Sequence, residues 1–352
     1  MTFQIHTPDS ADWRLAYELI PDERRDIFYS PSFASLCQKT INKNDEVLCA
    51  LSYADSEIII YPFAKRNIGK LVNIDTYNAH YDLIGLYGRG GMVSTGVPKT
   101  KAISDFYSHL KTYCDENSII CSFDRYHPVI ANDHLSPLNT EVFDVGGFVV
   151  VDLRPKMSEI EANFKSSVRK DIKKAQRNGI QCFFESGSSS LQIFLEIYYD
   201  TMSRNGATDF YYFDESFFKA LDEDLKGNFI YFYAKFESKI VSCELVLFEG
   251  RYCHSFLGGT LKEALPLSAN PMLKYEIIRQ CKSFGCEYFL LGGGTHPNDG
   301  IYNFKKAYSP CGIYRSKIGG TLWNKIQFDK LRQVMIDNNR SISVSRFMFY
   351  DV

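Results

Sequence analysis

The sequence predicts an α+β protein built from two copies of one fold, and three observations support this. The first is length: 352 residues are more than one ordinary core accommodates and suit two domains. The second is an internal echo. In the first half, Ser32-Phe33-Ala34-Ser35-Leu36 opens a helix, and a strand over 47–53, an Asp55-Ser56 turn and a strand over 58–63 follow. In the second half, Phe217-Phe218-Lys219-Ala220-Leu221 opens a helix, followed by a strand over 229–236, a Glu237-Ser238 turn and a strand over 240–248. The two runs lie about half a chain apart, too far for a solenoid repeat. The third is a strand–helix–strand order further on. A strand over 251–258 precedes a helix over 271–283, with Met272, Tyr275, Ile277 and Ile278 near one side and Gly285 as its stop. A strand ending at Leu291 closes the run.

Composition narrows the class. Hydrophobic residues at 45% and charged residues at 23% are ordinary globular values. The 23 Tyr and 27 Phe can fill large cores or line a cleft. A net charge of −2 excludes a generally basic nucleic-acid coat, though not a local patch. The ten cysteines contain no Cys-x-x-Cys, and Cys49, Cys121 and Cys243 sit in apolar runs. That spacing speaks against a disulfide framework or a zinc site, so no metal is expected. No run approaches the ~20 apolar residues of a membrane span, and the N-terminus lacks a signal peptide's basic flank and apolar core. The expectation is a cytoplasmic protein without a membrane span.

Two segments point to chemistry. After the strand at Tyr288 come Gly292-Gly293-Gly294, a turn-rich loop at Thr295-His296-Pro297, and Tyr302-Asn303-Phe304-Lys305-Lys306. Glycine lets a backbone approach a ligand closely. Lys305 and Lys306, beside Tyr302 and Phe304, could hold an anion. A nucleotide P-loop is excluded, because the glycines lead to Thr295-His296-Pro297 and not through Gly-Lys-Ser/Thr into a helix. The second segment is a basic helix. Ser158-Glu159-Ile160-Glu161 has the form of a capping box, and Phe164, Val168, Ile172 and Ala175 make an apolar stripe. Lys165, Arg169, Lys173 and Arg177 fall on a neighbouring side, Lys170 and Lys174 extend it, and Asn178-Gly179 ends the helix. Such a face is either solvated or anion-binding.

The strand–helix–strand order is that of a GNAT-type acyltransferase core, and the order of the segments resembles the FemAB-like (FemABX) peptidyl and aminoacyl transferases. The resemblance rests on Val168-Arg169-Lys170-Asp171 running to Asn178-Gly179, on Met202-Ser203-Arg204-Asn205-Gly206, on Leu267-Ser268-Ala269-Asn270-Pro271, on the glycines with Phe304-Lys305-Lys306, and on Tyr87-Gly88-Arg89-Gly90-Gly91 and Arg125-Tyr126-His127-Pro128 in the first half. Ala307 and Asn205 depart from the family pattern and put the substrate in doubt more than the fold. The resemblance implies tandem GNAT-like domains at 1–148 and 149–320, with a tail at 321–352 packed on the first. It implies transfer of an acyl or aminoacyl group to an amine of an envelope glycan or peptidoglycan precursor, sugar- or peptide-linked and in some relatives diphosphate-linked. The donor is a co-substrate, aminoacyl-tRNA or acyl-CoA, and no bound cofactor is implied. The loop Gly258 to Pro266 lacks the Gln/Arg-x-x-Gly-x-Gly/Ala pattern that cradles acyl-CoA, which argues mildly against a standard acetyl-CoA site.

The chemistry needs a proton taken from the amine, aligned substrates and a stabilised oxyanion. Lys305, supported by Phe304, is the first candidate for the oxyanion or phosphates. Arg204 is the candidate for a diphosphate, which a guanidinium grips bidentately, with Arg169 and Lys173 adding to one positive wall. Glu244 is a candidate base if its apolar strand buries it, and a solvated residue if the alternation turns it outward. His254 is an alternative, and His296, beside the glycines, is better placed. Gly292, Gly293, Tyr302 and Asn270 complete the expected substrate contacts. Two rival classes remain at this stage: an acyl-CoA enzyme acting on an amino sugar or small metabolite, and a non-catalytic glycan-nucleotide binding module.

Overall fold

The computed structural model describes residues 2–54, 57–294, 296, 299–343 and 345–351. The predicted Asp55-Ser56 turn, Thr295 and Pro297 lie outside these residues. The chain forms two compact units, Met1–Val145 with Ser316–Val352, and Gly146–Arg315. In the first unit the chain order is β1 (Thr2–His6), α1 (Ala11–Glu18), α2 (Pro31–Lys39), β2 (Glu46–Ala54), β3 (Glu57–Asn67), α3 (Ile68–Val72), β4 (Tyr81–Ile84), β5 (Val93–Ser94), α4 (Thr100–Glu116) and β6 (Ile119–Arg125). Strand β7 (Thr140–Asp152) carries the chain onward. The second unit adds α5 (Met157–Asn163), α6 (Ser166–Arg177), β8 (Gln181–Glu185), α7 (Leu191–Arg204), α8 (Glu215–Asp224), β9 (Phe229–Phe236), β10 (Lys239–Glu249), β11 (Tyr252–Thr260), α9 (Ala269–Ser283), β12 (Tyr288–Gly292) and α10 (Gly300–Lys306). Strand β13 (Ile313–Leu322) returns the chain to the first unit, where α11 (Lys325–Asp337) follows. The boundaries read from sequence, 148/149 and 320, fall inside β7 and β13, so the chain changes unit within strands and not within linkers.

Each unit is α+β with the same plan. In the first, the sheet order is β1-β2-β3-β4-β6-β13, with β5 on β3. All these pairs are antiparallel except β4/β6, which α4 connects. In the second, the order is β7-β12-β11-β10-β9-β8, antiparallel except for β11/β12, which α9 connects. A parallel pair needs a long crossover, and a helix supplies it in both units. The helix–strand–turn–strand echo read from the sequence corresponds to α2-β2-β3 and α8-β9-β10, and both units continue it as a β-β-β-α-β run.

In the second unit the helices sort to the two faces of the sheet by strand alternation. Ile230, Phe232, Ala234 and Val246 share one core with Ile277 and Ile278 of α9. On the other face Tyr231 meets Phe194 of α7, with ring centroids 5.2 Å apart. The basic helix differs from its prediction. Lys156 is the N-cap of α5, Ser158 lies within the first turn, and the chain breaks at Phe164 (φ −61°, ψ 144°) before α6 begins. Tertiary packing overrides the local capping signal. The break lets the Phe164 ring reach Tyr308 at 5.5 Å, and the Lys165 N–H donates to Ala307 O at 2.9 Å. Lys165 is thus the N-cap of α6 and not part of its basic side.

In the first unit, the C-terminal segment is tied to the sheet by a buried polar cluster. Arg66 binds Asp82 through two nitrogens at 3.0 and 2.9 Å, Tyr350 Oη donates to Asp82 at 2.8 Å, and Asp351 pairs with Arg66 at 3.1 Å. Phe328, Leu331, Met335, Met348 and Phe349 join Ile68, Val72 and Ile120 in the core around it.

Candidate functional site

The candidate site lies in the second unit, where two parallel strands part. β11 and β12 pair at Tyr252/Tyr288, Cys253/Phe289 and His254/Leu290; β12 ends at Gly292 while β11 continues along β10 to Thr260. Strands that separate leave backbone groups without ladder partners and open a place for a ligand. The glycines follow at this point, and their need is geometric. Gly292 has φ +93°, and a Cβ there would stand 3.0 Å from the Lys305 ammonium. A Cβ on Gly294 would stand 2.4 Å from Asp299 Oδ1. Gly292 and Gly294 therefore lie tightly against α10 and its N-cap Asp299.

Lys305 sits half-buried on α10, its ammonium donating to Gly293 O at 2.8 Å. Burial pushes its proton affinity down, and the positive charge of Lys274 pushes it further, to a pKa of about 8, against the pull of Glu244 and Asp299. Lys274 itself is buried on α9. Its Nζ donates to Glu244 Oε1 and Oε2, both at 2.5 Å, and to Ser255 Oγ at 3.1 Å. The Phe289 ring lies 5.4 Å beneath it. A buried charge is stable only when paired and hydrogen-bonded, and this one has three acceptor oxygens. The arrangement holds two lysine nitrogens, with the carboxylates of Glu244 and Asp299 acting on Lys305 as well.

Packing fixes this constellation in place. Phe164 and Phe304 both meet Tyr308, at 5.5 and 5.4 Å, and Tyr275 Oη donates to Glu161 at 2.7 Å. These contacts clamp α5, α9 and α10 together around Lys305. Phe304, the expected support of Lys305, is half-buried and packed against the apolar cluster. Tyr302 is buried under the loop, and a Cβ on Gly147 would strike its hydroxyl at 2.3 Å.

The structure brings Lys305, Glu244, Gly292, Gly293 and Tyr302 to one place and leaves others elsewhere. Glu244 is buried, but both its oxygens are engaged by Lys274, so it is a counter-ion and not a free base. Arg204 belongs to α7, on the opposite face of the sheet, where it pairs with Asp200 at 2.5 Å and donates to Thr260 O at 2.8 Å. The expected positive wall of Lys305, Arg204 and Arg169 is accordingly not assembled. Arg169 turns its guanidinium onto Ala162 O at 3.1 Å and onto Phe164 O, closing the C-terminus of α5. Lys173 is exposed and lines a shallow depression with Lys170, Gln176 and Arg177. Asn270 is half-buried in the first turn of α9. His296 is exposed, with its backbone N–H on Asp299 Oδ2 at 3.0 Å, and His254 is buried on β11. Lys274 escaped the sequence reading. Its signal was available: one lysine inside an apolar helix stripe and one glutamate inside an apolar strand make a matched buried pair.

Comparison with known proteins agrees with this geometry. Residues 162–306 match the family model described as an acetyltransferase (GNAT) domain, and the stretch runs from α5 through Lys305. The whole chain is similar in fold to FemX, with a TM-score of 0.71 at 14% identity over 95% of this chain and all of that one. It is also similar to L-PGS from Bacillus licheniformis, with a TM-score of 0.55 at 14% identity over 94% of this chain and 97% of that one. A tandem GNAT protein from the clavulanic acid biosynthesis pathway gives 0.51 at 7% identity over 92% and 98%. No curated protein matches the chain by sequence. Residues 162–306 thus carry a GNAT acetyltransferase domain, and the whole chain shares the fold of FemX and of the tandem GNAT protein. The likeness to FemX is one of fold.

Proposed function

We propose that the protein transfers an acyl or aminoacyl group to an amine of a cell-envelope precursor, a glycan or a peptidoglycan peptide, with the reaction centred on Lys305. The acceptor nitrogen attacks the carbonyl carbon of an ester or thioester donor. An N–C bond forms, the C–O or C–S bond breaks, and the proton lost by the amine ends on the departing oxygen or sulfur. Between these events the carbonyl oxygen carries a full negative charge, and a fixed, half-buried cation stabilises it more than a freely hydrated lysine would. The observation that carries this reading is the half-buried Lys305 of α10, its ammonium on Gly293 O where β11 and β12 part, within the matched acetyltransferase (GNAT) domain.

The donor decides between two versions. Aminoacyl-tRNA follows from the FemAB-like resemblance, and the basic residues around Lys173 on α6 offer phosphate contacts. Acyl-CoA follows from the acetyltransferase domain match. Incubating the protein with each donor and a panel of amino sugars, nucleotide-linked sugars and peptide amines, then weighing the products, tests the proposal. A new amide with one donor supports it and names the version. Tight glycan binding without transfer from either donor would favour a binding module.

A further inference from the structure

Three thiols from three places in the chain meet in the core of the second unit, and the acyl-transfer reading uses none of them. Cys253 lies on β11, Cys281 in the last turn of α9, and Cys286 between α9 and β12. All three belong to one apolar cluster, at 0%, 2% and 6% exposure. The backbone draws them together. Gly285, with φ +88°, turns the chain out of α9, so that the Cys286 N–H donates to Cys281 O at 3.1 Å. Two residues on, the Tyr288 carbonyl accepts from Cys253 Sγ at 3.4 Å, on the parallel ladder that sets Cys253 opposite Phe289. Within this frame the Cys253 thiol makes hydrogen-bond contacts with the thiols of both Cys281 and Cys286. A free cysteine commonly serves as a small buried hydrophobe, and each of these alone would pass for one. Their mutual contact adds chemistry, because a thiol that donates to a neighbouring sulfur favours that neighbour's thiolate, the reactive form. Burial and its sulfur contacts hold Cys253 protonated, while its contact with Cys253 draws the Cys286 thiol below its ordinary value, against the effect of burial.

We infer that Cys253 and Cys286 form a peroxide-reactive modification site, closing to a disulfide that ties β11 to the entry of β12. Cys286 is the point of attack, being the least buried of the three and the one whose thiolate a neighbour supports. The oxidant is hydrogen peroxide. The Cys286 thiolate attacks one peroxide oxygen: an S–O bond forms, the O–O bond breaks, and the hydroxide released takes up the proton that Cys286 gave up. Cys286 is then a sulfenic acid. The Cys253 sulfur attacks the Cys286 sulfur: the S–S bond forms, the S–O bond breaks, and the hydroxyl leaves as water with the Cys253 proton. Two thiols are oxidised and one peroxide is reduced to two waters. The closed form joins the two strands whose parting, further along β12, opens the candidate site. The inference does not depend on which group the protein transfers.

The test uses the whole chain carrying Cys311→Ser, which removes the exposed cysteine and with it links between molecules. After hydrogen peroxide and then catalase, the protein is unfolded in N-ethylmaleimide and digested with trypsin without reductant. The three cysteines fall in separate tryptic peptides, 252–262, 280–282 and 283–305, so mass spectrometry identifies the pair. The expected product is 252–262 joined to 283–305, two hydrogens lighter than the separate peptides together and absent after dithiothreitol. Cys253→Ala should stop at the sulfenic acid of Cys286, captured by dimedone, and Cys286→Ala should leave Cys253 fully labelled by N-ethylmaleimide. The peptide map needs neither variant, so it decides the matter even where one fails to fold. Complete labelling of Cys253 and Cys286 after a peroxide exposure that oxidises glutathione in the same tube overturns the inference. So does a link made through Cys281 in place of Cys286.

Discussion

Replacing Lys305 by methionine should make the protein more stable at neutral pH while abolishing its use as a catalyst. The native fold half-buries an ammonium that water would solvate better, and its pKa falls from the ordinary 10.5 to about 8. At about 1.4 kcal/mol per pH unit, that gap amounts to ~3 kcal/mol. The sign follows from proton counting. Below pH 8 both folded and unfolded chains carry the proton, and the folded state bears the whole cost. Between pH 8 and 10.5 the unfolded chain binds more protons than the folded one, so native stability rises with pH; above 10.5 the cost is gone. Methionine fills the same space without a charge. The variant should therefore exceed the native protein by up to ~3 kcal/mol at pH 7, and the difference should shrink steadily toward pH 10.5. Urea unfolding of both proteins at pH 7, 8, 9 and 10 measures it. A difference that stays constant across this range would refute the claim that Lys305 is held partly deprotonated by its surroundings.

Two further outcomes follow from the placement of other side chains. Arg204→Ala removes a half-exposed helix pair with Asp200 and one bond to Thr260 O on the α7 face; turnover should stay within about twofold, and stability should fall by about 1 kcal/mol or less, read by steady-state kinetics and thermal melting. Asp82→Ala leaves the buried Arg66 guanidinium with the half-exposed Asp351 as its carboxylate partner and should cost about 3–5 kcal/mol, with the C-terminal segment becoming sensitive to protease before the rest of the chain.

Much of the architecture could be read from residues alone, for identifiable reasons. Alternating apolar runs flanked by turn residues gave the paired β2/β3 and β9/β10, and the Met272–Ile278 stripe gave α9. The glycine run announced a tight loop, and the structure supplies its cause in the Lys305 ammonium and the Asp299 carboxylate. What escaped depended on long-range packing. A local Ser-x-x-Glu pattern says nothing of Phe164 leaving the helix to meet Tyr308. Nor can spacing tell which face of a sheet a helix covers, which is why Arg204 on α7 and Lys305 on α10 seemed able to share a wall. Lys274 went unread because its partner lies thirty positions earlier, on another element. Only the fold joins them.

The central claim is that Lys305 stands at the reacting centre of an acyl transfer. The most direct measurement is the rate of amide formation, followed by mass spectrometry under saturating donor and acceptor, for the native protein and Lys305→Ala at equal concentration. The account predicts a loss of roughly 10²-fold or more in turnover, the scale of removing one transition-state donor, with the melting temperature unchanged or raised. Full turnover by Lys305→Ala would contradict it.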